Sequence, residues 1–145
     1  MYLEISNPMD YHVALYIRLS KEDETEGPSQ SVTNQKSLLN EFVQQHRLSV
    51  YDTYVDDGWS GTSFDRPDFQ RMIEDIEDKK VNMVITKDLS RLGRHRTQTA
   101  LFIDYLREHD VRVLSATENI DTFNENDDLI IGFKGLVNDF YARDG

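Results

Sequence analysis

In the segment YIRLS an arginine and a serine stand two residues apart, the first pairing in this chain whose types and spacing point to chemistry. On an extended backbone, side chains two apart share a face, so Arg18 and Ser20 would project together. A hydroxyl beside a guanidinium suits reaction at a phosphate, whose oxygens match the planar, permanently charged fork. A second segment, KDLSRLGRHR, gathers Lys87, Asp88, Ser90, Arg91, Arg94, His95 and Arg96. It carries a charge of +3, while the remainder of the chain sums to −14. A local cationic site in an acidic body fits a bound phosphate. Taken singly, each feature also has an ordinary reading. Arg18 could be a solvated rim residue and Ser20 a loop cap. Arg66 could pair with Asp65 or Asp68, and the basic run could be a solvated helix start.

The elements that must hold these residues follow from hydrophobic periodicity. Val13, Leu15, Ile17 and Leu19 alternate, predicting a strand over 11–20 with one face in a core. The charged stretch after it, with Gly27 and Pro28, reads as a loop. Leu38, Leu39, Phe42 and Val43 share a helical face, with Ser29 or Ser31 as the cap. A second strand is expected over VYDTYVDDG, leaving through the turn-forming WSGTS. Asp56 and Asp57 read there as turn acids rather than a magnesium pocket. Phe69, Met72, Ile73 and Ile76 predict a short amphipathic helix opened by Pro67. The run VNMVIT suits a strand buried on both faces. A helix striped by Leu101, Phe102, Tyr105 and Leu106 follows it, then a fourth strand, VRVLSA.

Beyond that strand, ENIDTFNENDD holds five acids and no base and reads as a solvated loop. Leu129, Phe133, Leu136, Val137 and Phe140 then stripe a last helix running almost to Gly145, an ending that cutting a longer protein would also produce. Tyr16 is expected in the core, and His12, His46, His95 and His109 in structural roles. The order βαβαβαβ predicts an α/β fold with a mostly parallel central sheet flanked by helices. Residues 1–10 would form a flexible lead-in and 11–145 a single domain. Ligands of such sheets gather at the carboxyl ends of the strands, which is where Ser20, Arg66 and residues 87–96 fall.

Composition narrows the function classes. A 145-residue chain with 38% hydrophobic and 30% charged residues is globular, and a net charge of −11 argues against a uniformly basic DNA-coating protein. The lack of cysteine excludes disulfides, thiolate zinc sites and cysteine nucleophiles. No apolar run approaches the ~20 residues of a membrane span, and MYLEISNPMD lacks the grammar of a secretory signal. A cytoplasmic protein without a membrane partner is therefore expected. The phosphate loop GxxxxGK[ST] does not occur, which argues against a P-loop nucleotide enzyme.

Taken jointly, YIRLS, the Ser31–Gln35 opening of the first helix, DDGWSGTSFDRPDFQRM and KDLSRLGRHR resemble the serine recombinases, the resolvase and invertase family. The charged insertion near 21–30 and the ending NDFYARDG are most similar to the large serine recombinases of transposons and phages. The resemblance implies a resolvase-like catalytic domain whose C-terminal DNA-binding region is absent from this chain. It implies that Ser20 attacks a scissile DNA phosphate and becomes 5′-phosphoserine-linked. Arg18, Arg66, Arg91 and Arg94 would be the phosphate-binding and transition-state arginines. Gln35, Lys87, Asp88, Ser90 and Arg96 would give supporting or phosphate-binding contacts. No cofactor or metal is implied. The implied partners are double-stranded DNA at specific recombination sites and further copies of the chain, as a homodimer and a synaptic homotetramer that exchanges strands by subunit rotation. There is room for an accessory directionality factor. Many members carry aspartate where Ser90 stands, with Asp88 here two residues earlier. Two other classes compete: a recombinase fold that serves as an inactive assembly domain, and a receiver-like regulatory module using Asp56, Asp57 and Lys87.

Overall fold

The structure, a computed structural model, describes residues 5–21, 27 and 31–123. A 3-10 turn at Pro8–Asp10 leads into β1 (His12–Leu19). There follow α1 (Val32–Gln45), β2 (Ser49–Asp57), α2 (Pro67–Glu77) and β3 (Met83–Thr86). A second 3-10 turn (Leu89–Arg91), α3 (Arg96–Glu108), β4 (Arg112–Ser115) and β5 (Ile120–Asp121) complete the described chain. The strands form one sheet in the order β2-β1-β3-β4-β5. The first four are parallel and β5 is antiparallel to β4, giving the expected α/β architecture.

Two apolar layers cover the sheet. Leu39, Phe42 and Val43 of α1 pack with Val13, Leu15 and Ile17 on one face. Met72 and Ile76 of α2 and Phe102, Ile103 and Leu106 of α3 pack with Ala14 and Tyr16 on the other. The expectation of a one-faced β1 is therefore corrected: every residue from Val13 to Leu19 is buried. The cause is topological, since β1 lies between β2 and β3 with helices on both sides. Its even-numbered side chains, Ala14, Tyr16, Arg18 and Ser20, follow one face toward α2 and α3. Because β1 connects to β2 on one side and β3 to β4 on the other, the order reverses between β1 and β3. That is the switch point at which open α/β sheets form their ligand crevice.

Local signals account for the helix limits. Ser31 caps α1, its Oγ accepting the Asn34 N–H at 3.1 Å. Pro67 opens α2, where its missing N–H costs nothing. Both α1 and α3 end at a histidine, and the Nδ1 of His46 and of His109 each lies 2.9 Å from the carbonyl four residues earlier. The buried stripe of α3 is Thr99, Ala100, Phe102, Ile103 and Leu106, with Leu101 and Tyr105 only partly covered.

The acidic stretch after β4 also departs from expectation. Ile120 and Asp121 form the edge strand β5 rather than a solvated loop. The Asp121 carboxylate pairs with Arg112, whose Nε donates to Oδ1 at 2.9 Å, and both residues are buried. Tyr11 Oη accepts from Arg112 at 3.0 Å, and the rings of Tyr11 and Phe123 lie against its guanidinium. A cation placed inside β4 needs a counter-charge, and Asp121 supplies it. The helix expected over residues 129–140 and the alternative cap Ser29 lie outside the described residues.

Candidate active site

Strand β1 ends at Leu19 and delivers Ser20 to the crevice, 5% exposed. Arg94 Nη2 donates to Ser20 Oγ at 3.0 Å. Pairing with β3 stops at Tyr16, and side chains take over the bonding of the strand's end. The Arg18 carbonyl accepts from Arg91 Nη1 at 3.0 Å and from Gln35 Nε2 at 3.1 Å. In return the Arg18 guanidinium donates to the carbonyls of Arg91 at 3.1 Å, Ser90 at 2.6 Å and Trp59 at 3.2 Å. The end of β1 and the cationic loop thus clamp one another. Arg18, Gln35 and Arg91 are each no more than 2% exposed, whereas Arg94 opens to solvent.

The loop after β2 closes the site from the side. Gly58, at φ +87°, turns its N–H onto the Leu19 carbonyl in a conformation that favours glycine. Gly61 lies so close to two arginines that an added Cβ would sit 2.8 Å from Arg94 Cγ and 2.9 Å from Arg18 Nη2. Its carbonyl accepts the Arg94 N–H at 2.9 Å.

After β3 the chain turns through Leu89–Arg91, and a residue the sequence did not single out holds this turn. Glu118 Oε1 accepts the Leu89 N–H and the Ser115 hydroxyl, each at 2.7 Å. A carboxylate three residues after a buried strand serine is too common a pattern to have marked it. The Asp88 carboxylate lies 3.5 Å from Arg91 Nε and accepts the Ser90 hydroxyl. These two residues therefore meet across a 3-10 turn, not along a continued strand. Lys87 is tied in through its carbonyl, which accepts from the Thr117 N–H at 2.9 Å and hydroxyl at 2.7 Å. Arg96, exposed at the start of α3, lines a cavity of about 200 Å³ with Ser90, Arg94 and Glu118.

Arg66 joins this cluster from beneath. It is 1% exposed and pairs with neither Asp65 nor Asp68; Asp68 meets Arg71 instead. Arg66 Nε donates to the Ser63 carbonyl at 2.9 Å. Its Nη1 donates to the Arg91 carbonyl and to Tyr16 Oη, each at 2.9 Å, and its Nη2 to the Leu92 carbonyl. Tyr16 Oη in turn donates to Asp56 Oδ2 at 2.7 Å. Burial pushes the Tyr16 phenol well above its ordinary range, against the pull of the Arg66 cation. Burial likewise lowers Arg66 from its usual value.

Asp56 corrects another expectation. It is a buried strand residue rather than a turn acid, and its oxygens accept the Asp68 N–H at 2.9 Å and the Phe69 N–H at 3.0 Å, at the start of α2. A carboxylate so engaged does not offer the open acidic pocket of a receiver. Among the described residues, no group of three or more His, Asp or Glu side chains is placed to hold a metal ion. No helix among them is long and apolar enough to cross a membrane.

The arrangement is a hydroxyl at a sheet switch point, one guanidinium on its oxygen and three more arginines, Arg18, Arg66 and Arg91, locked into the surrounding main chain. Known proteins share the fold that positions it. The N-terminal catalytic domain of TP901-1 integrase superimposes with a TM-score of 0.77 at 31% identity, covering 91% of this chain and 97% of that one. A resolvase family site-specific recombinase from Streptococcus pneumoniae gives 0.73 at 26% identity, covering 92% and 89%. A Bacillus subtilis (strain 168) protein named "Putative DNA recombinase" is 23% identical over 128 residues, 88% of this chain. This chain spans about a quarter of that relative's length. The family model for the resolvase N-terminal domain matches residues 13–144. From the switch-point site, the fold and that match, the chain belongs to the resolvase N-terminal domain family of serine recombinases.

Proposed function

We propose that this chain is the DNA-cleaving and rejoining domain of a site-specific recombinase, with Ser20 as nucleophile. The observation that carries the reading is the 3.0 Å contact from Arg94 Nη2 to a nearly buried serine hydroxyl at the sheet switch point. The Ser20 oxygen forms a bond to the scissile phosphorus and gives up its proton. The bond from phosphorus to the 3′ oxygen breaks, and that oxygen takes up a proton. A 5′-phosphoserine link and a 3′ hydroxyl result, and the reverse attack rejoins the strand. Transfer at a phosphodiester is largely positioning and neutralisation of charge, which fixed arginines can supply.

Arg94 contacts the phosphate, Arg91 lends its charge from within the loop, and Arg18 and Gln35 hold the end of β1 that presents Ser20. Asp88 and Ser90 orient Arg91, while Lys87 and Arg96 extend the cationic lip toward the DNA backbone. Phosphate contacts of this kind add salt-dependent affinity and carry no sequence information. Choice of site therefore falls to other parts of a longer protein, consistent with the acidic charge of this domain. Two duplex sites are brought together in a homotetramer built from dimers, and ends exchange by rotation of one half against the other. The domain acts in the cytoplasm on double-stranded DNA.

A covalent trap tests the reading. The recombinase that carries this domain is incubated in EDTA with nicked duplex bearing the ends of its element, beside a Ser20→Ala control. A seryl-DNA adduct that maps to Ser20 and vanishes in the control is expected. Site binding without any adduct would overturn the reading in favour of an assembly domain.

A further inference from the structure

We propose that Arg66, Tyr16 and Asp56 form one buried positioning unit, and that Arg66 serves the reaction by aiming the Arg91–Arg94 loop without touching the DNA phosphate. The inference rests on the reading of Ser20 and its arginines given above and refines it. The side chain of Arg66 is 1% exposed, so a phosphate cannot reach it without prior opening of the site. Four of the five N–H groups of a guanidinium are engaged, toward the Ser63, Arg91 and Leu92 carbonyls and Tyr16 Oη. Its flat face is covered as well: the ring centroids of Phe69, Phe64 and Tyr16 lie 4.5, 5.5 and 5.6 Å from Arg66 Cζ. A side chain spent in this way holds main chain.

The main chain it holds is the loop that matters. The carbonyls of Arg91 and Leu92 immediately precede Gly93 and Arg94, the residue on Ser20 Oγ. The Arg91 carbonyl also accepts from Arg18, so two guanidiniums, one from β1 and one from the start of α2, grip one oxygen. Behind Arg66, the Tyr16 hydroxyl accepts from the guanidinium and donates to Asp56, whose oxygens also take two N–H groups at the start of α2. One chain of hydrogen bonds therefore runs from the first turn of α2, through β2 and β1, to the arginine loop. The Asp56 carboxylate, one hydroxyl away, compensates the buried cation. Buried networks in which each member is satisfied fix a unique geometry, and a 1 Å error at a reacting centre can cost roughly 100-fold in rate.

A neutral substrate separates the two roles. Duplex DNA with a methylphosphonate at the scissile position lacks the charge that a phosphate-binding arginine neutralises. Losing such an arginine should harm cleavage of that substrate less than cleavage of normal DNA. Arg94→Ala is expected to show this recovery. Arg66→Lys keeps a charge but cannot span two carbonyls and a hydroxyl. Adduct formation should fall by roughly 100-fold on both substrates, with DNA affinity and its salt dependence unchanged. Tyr16→Phe removes one oxygen from the unit, stays apolar in the core, and should lower adduct formation by about tenfold on both substrates, again without changing affinity.

Recovery of Arg66→Lys on the methylphosphonate in proportion to Arg94→Ala would overturn the inference and return Arg66 to the phosphate. Cleavage by Tyr16→Phe at the wild-type rate would overturn it as well, and it does not depend on how Arg66→Lys folds. A wild-type protein that binds its site and forms no adduct on normal DNA would instead overturn the underlying reading of Ser20.

Discussion

Replacing Gly61 with alanine should impair cleavage far more than folding. The added Cβ would stand 2.8 Å from Arg94 Cγ, 2.9 Å from Arg18 Nη2 and 3.0 Å from Arg18 Cζ. Carbon atoms at rest sit about 3.5–4.0 Å apart, so the overlap with Arg94 is roughly 0.7–1.2 Å. The two arginines yield unequally. Arg18 is buried and anchored by the carbonyls of Arg91, Ser90 and Trp59, whereas Arg94 is an exposed residue. Arg94 therefore moves, by on the order of 1 Å, and its Nη2 leaves Ser20 Oγ. A displacement of that size at a catalytic group predicts about a 100-fold fall in single-turnover adduct formation. The stability cost of overpacking is about 1–3 kcal/mol, and the flexible partner places it near the lower bound. The assay pairs adduct formation with urea unfolding of the same protein, and Thr62→Ala in the same loop is a control expected within about 0.5 kcal/mol of wild type. A Gly61→Ala protein that forms adduct at the wild-type rate would refute the claim that the backbone of this loop sets the position of Arg94.

Two further outcomes can be checked without DNA. Burial raises the phenols of Tyr16 and Tyr54 above their ordinary value of 10.0, with Asp56 and Asp75 adding to the effect, and burial raises Tyr105 to about 12. Raised folded values contribute stability that is complete below pH 10 and lost as pH climbs through them. Alkaline titration followed by tyrosinate absorbance should show these three of the seven tyrosines ionising late, in step with unfolding, and early ionisation of all seven would sink the prediction. Asp121→Asn breaks a pair in which each partner is 7% exposed, and should cost about 3 kcal/mol in urea unfolding. Joint replacement by Arg112→Met and Asp121→Leu should recover most of that loss, whereas an equal or larger loss in the double variant would count against an electrostatic cause.

Much of the scaffold could be read from periodicity, because a helix or strand shows its apolar face within a few residues. Leu39, Phe42 and Val43 fell on one side of a predicted helix and are buried on one side of α1. What the pattern could not supply was sheet order. Val13 to Leu19 alternate as a half-buried strand does, yet β1 lies between two neighbours, and neighbour relations are set by contacts far apart in sequence. The site was legible as an inventory: Ser20, Arg18, Arg91, Arg94 and Gln35 do converge. Its wiring was not. Asp56 reads as a turn acid, and Tyr16, a core ring as expected, gives no sign of its hydroxyl's partners, because a network partner leaves no mark on local composition. Glu118 carries no local mark for the same reason. Arg112 did leave a signal, since an arginine inside an apolar strand demands a nearby acid, and the acidic stretch that follows contains it.

The mutual grip of Arg18 and Arg91 spans 73 residues, and the contact of Arg94 with Ser20 spans 74. During synthesis Ser20 is thus made long before the arginine that reaches its oxygen. A chain halted anywhere short of the arginine loop carries a serine hydroxyl with no guanidinium on its oxygen, and an unfolded chain separates the two again. On the proposed reading, a domain that breaks DNA strands is in this way inert until its polypeptide has closed on itself, so that completion of the fold acts as its safety catch.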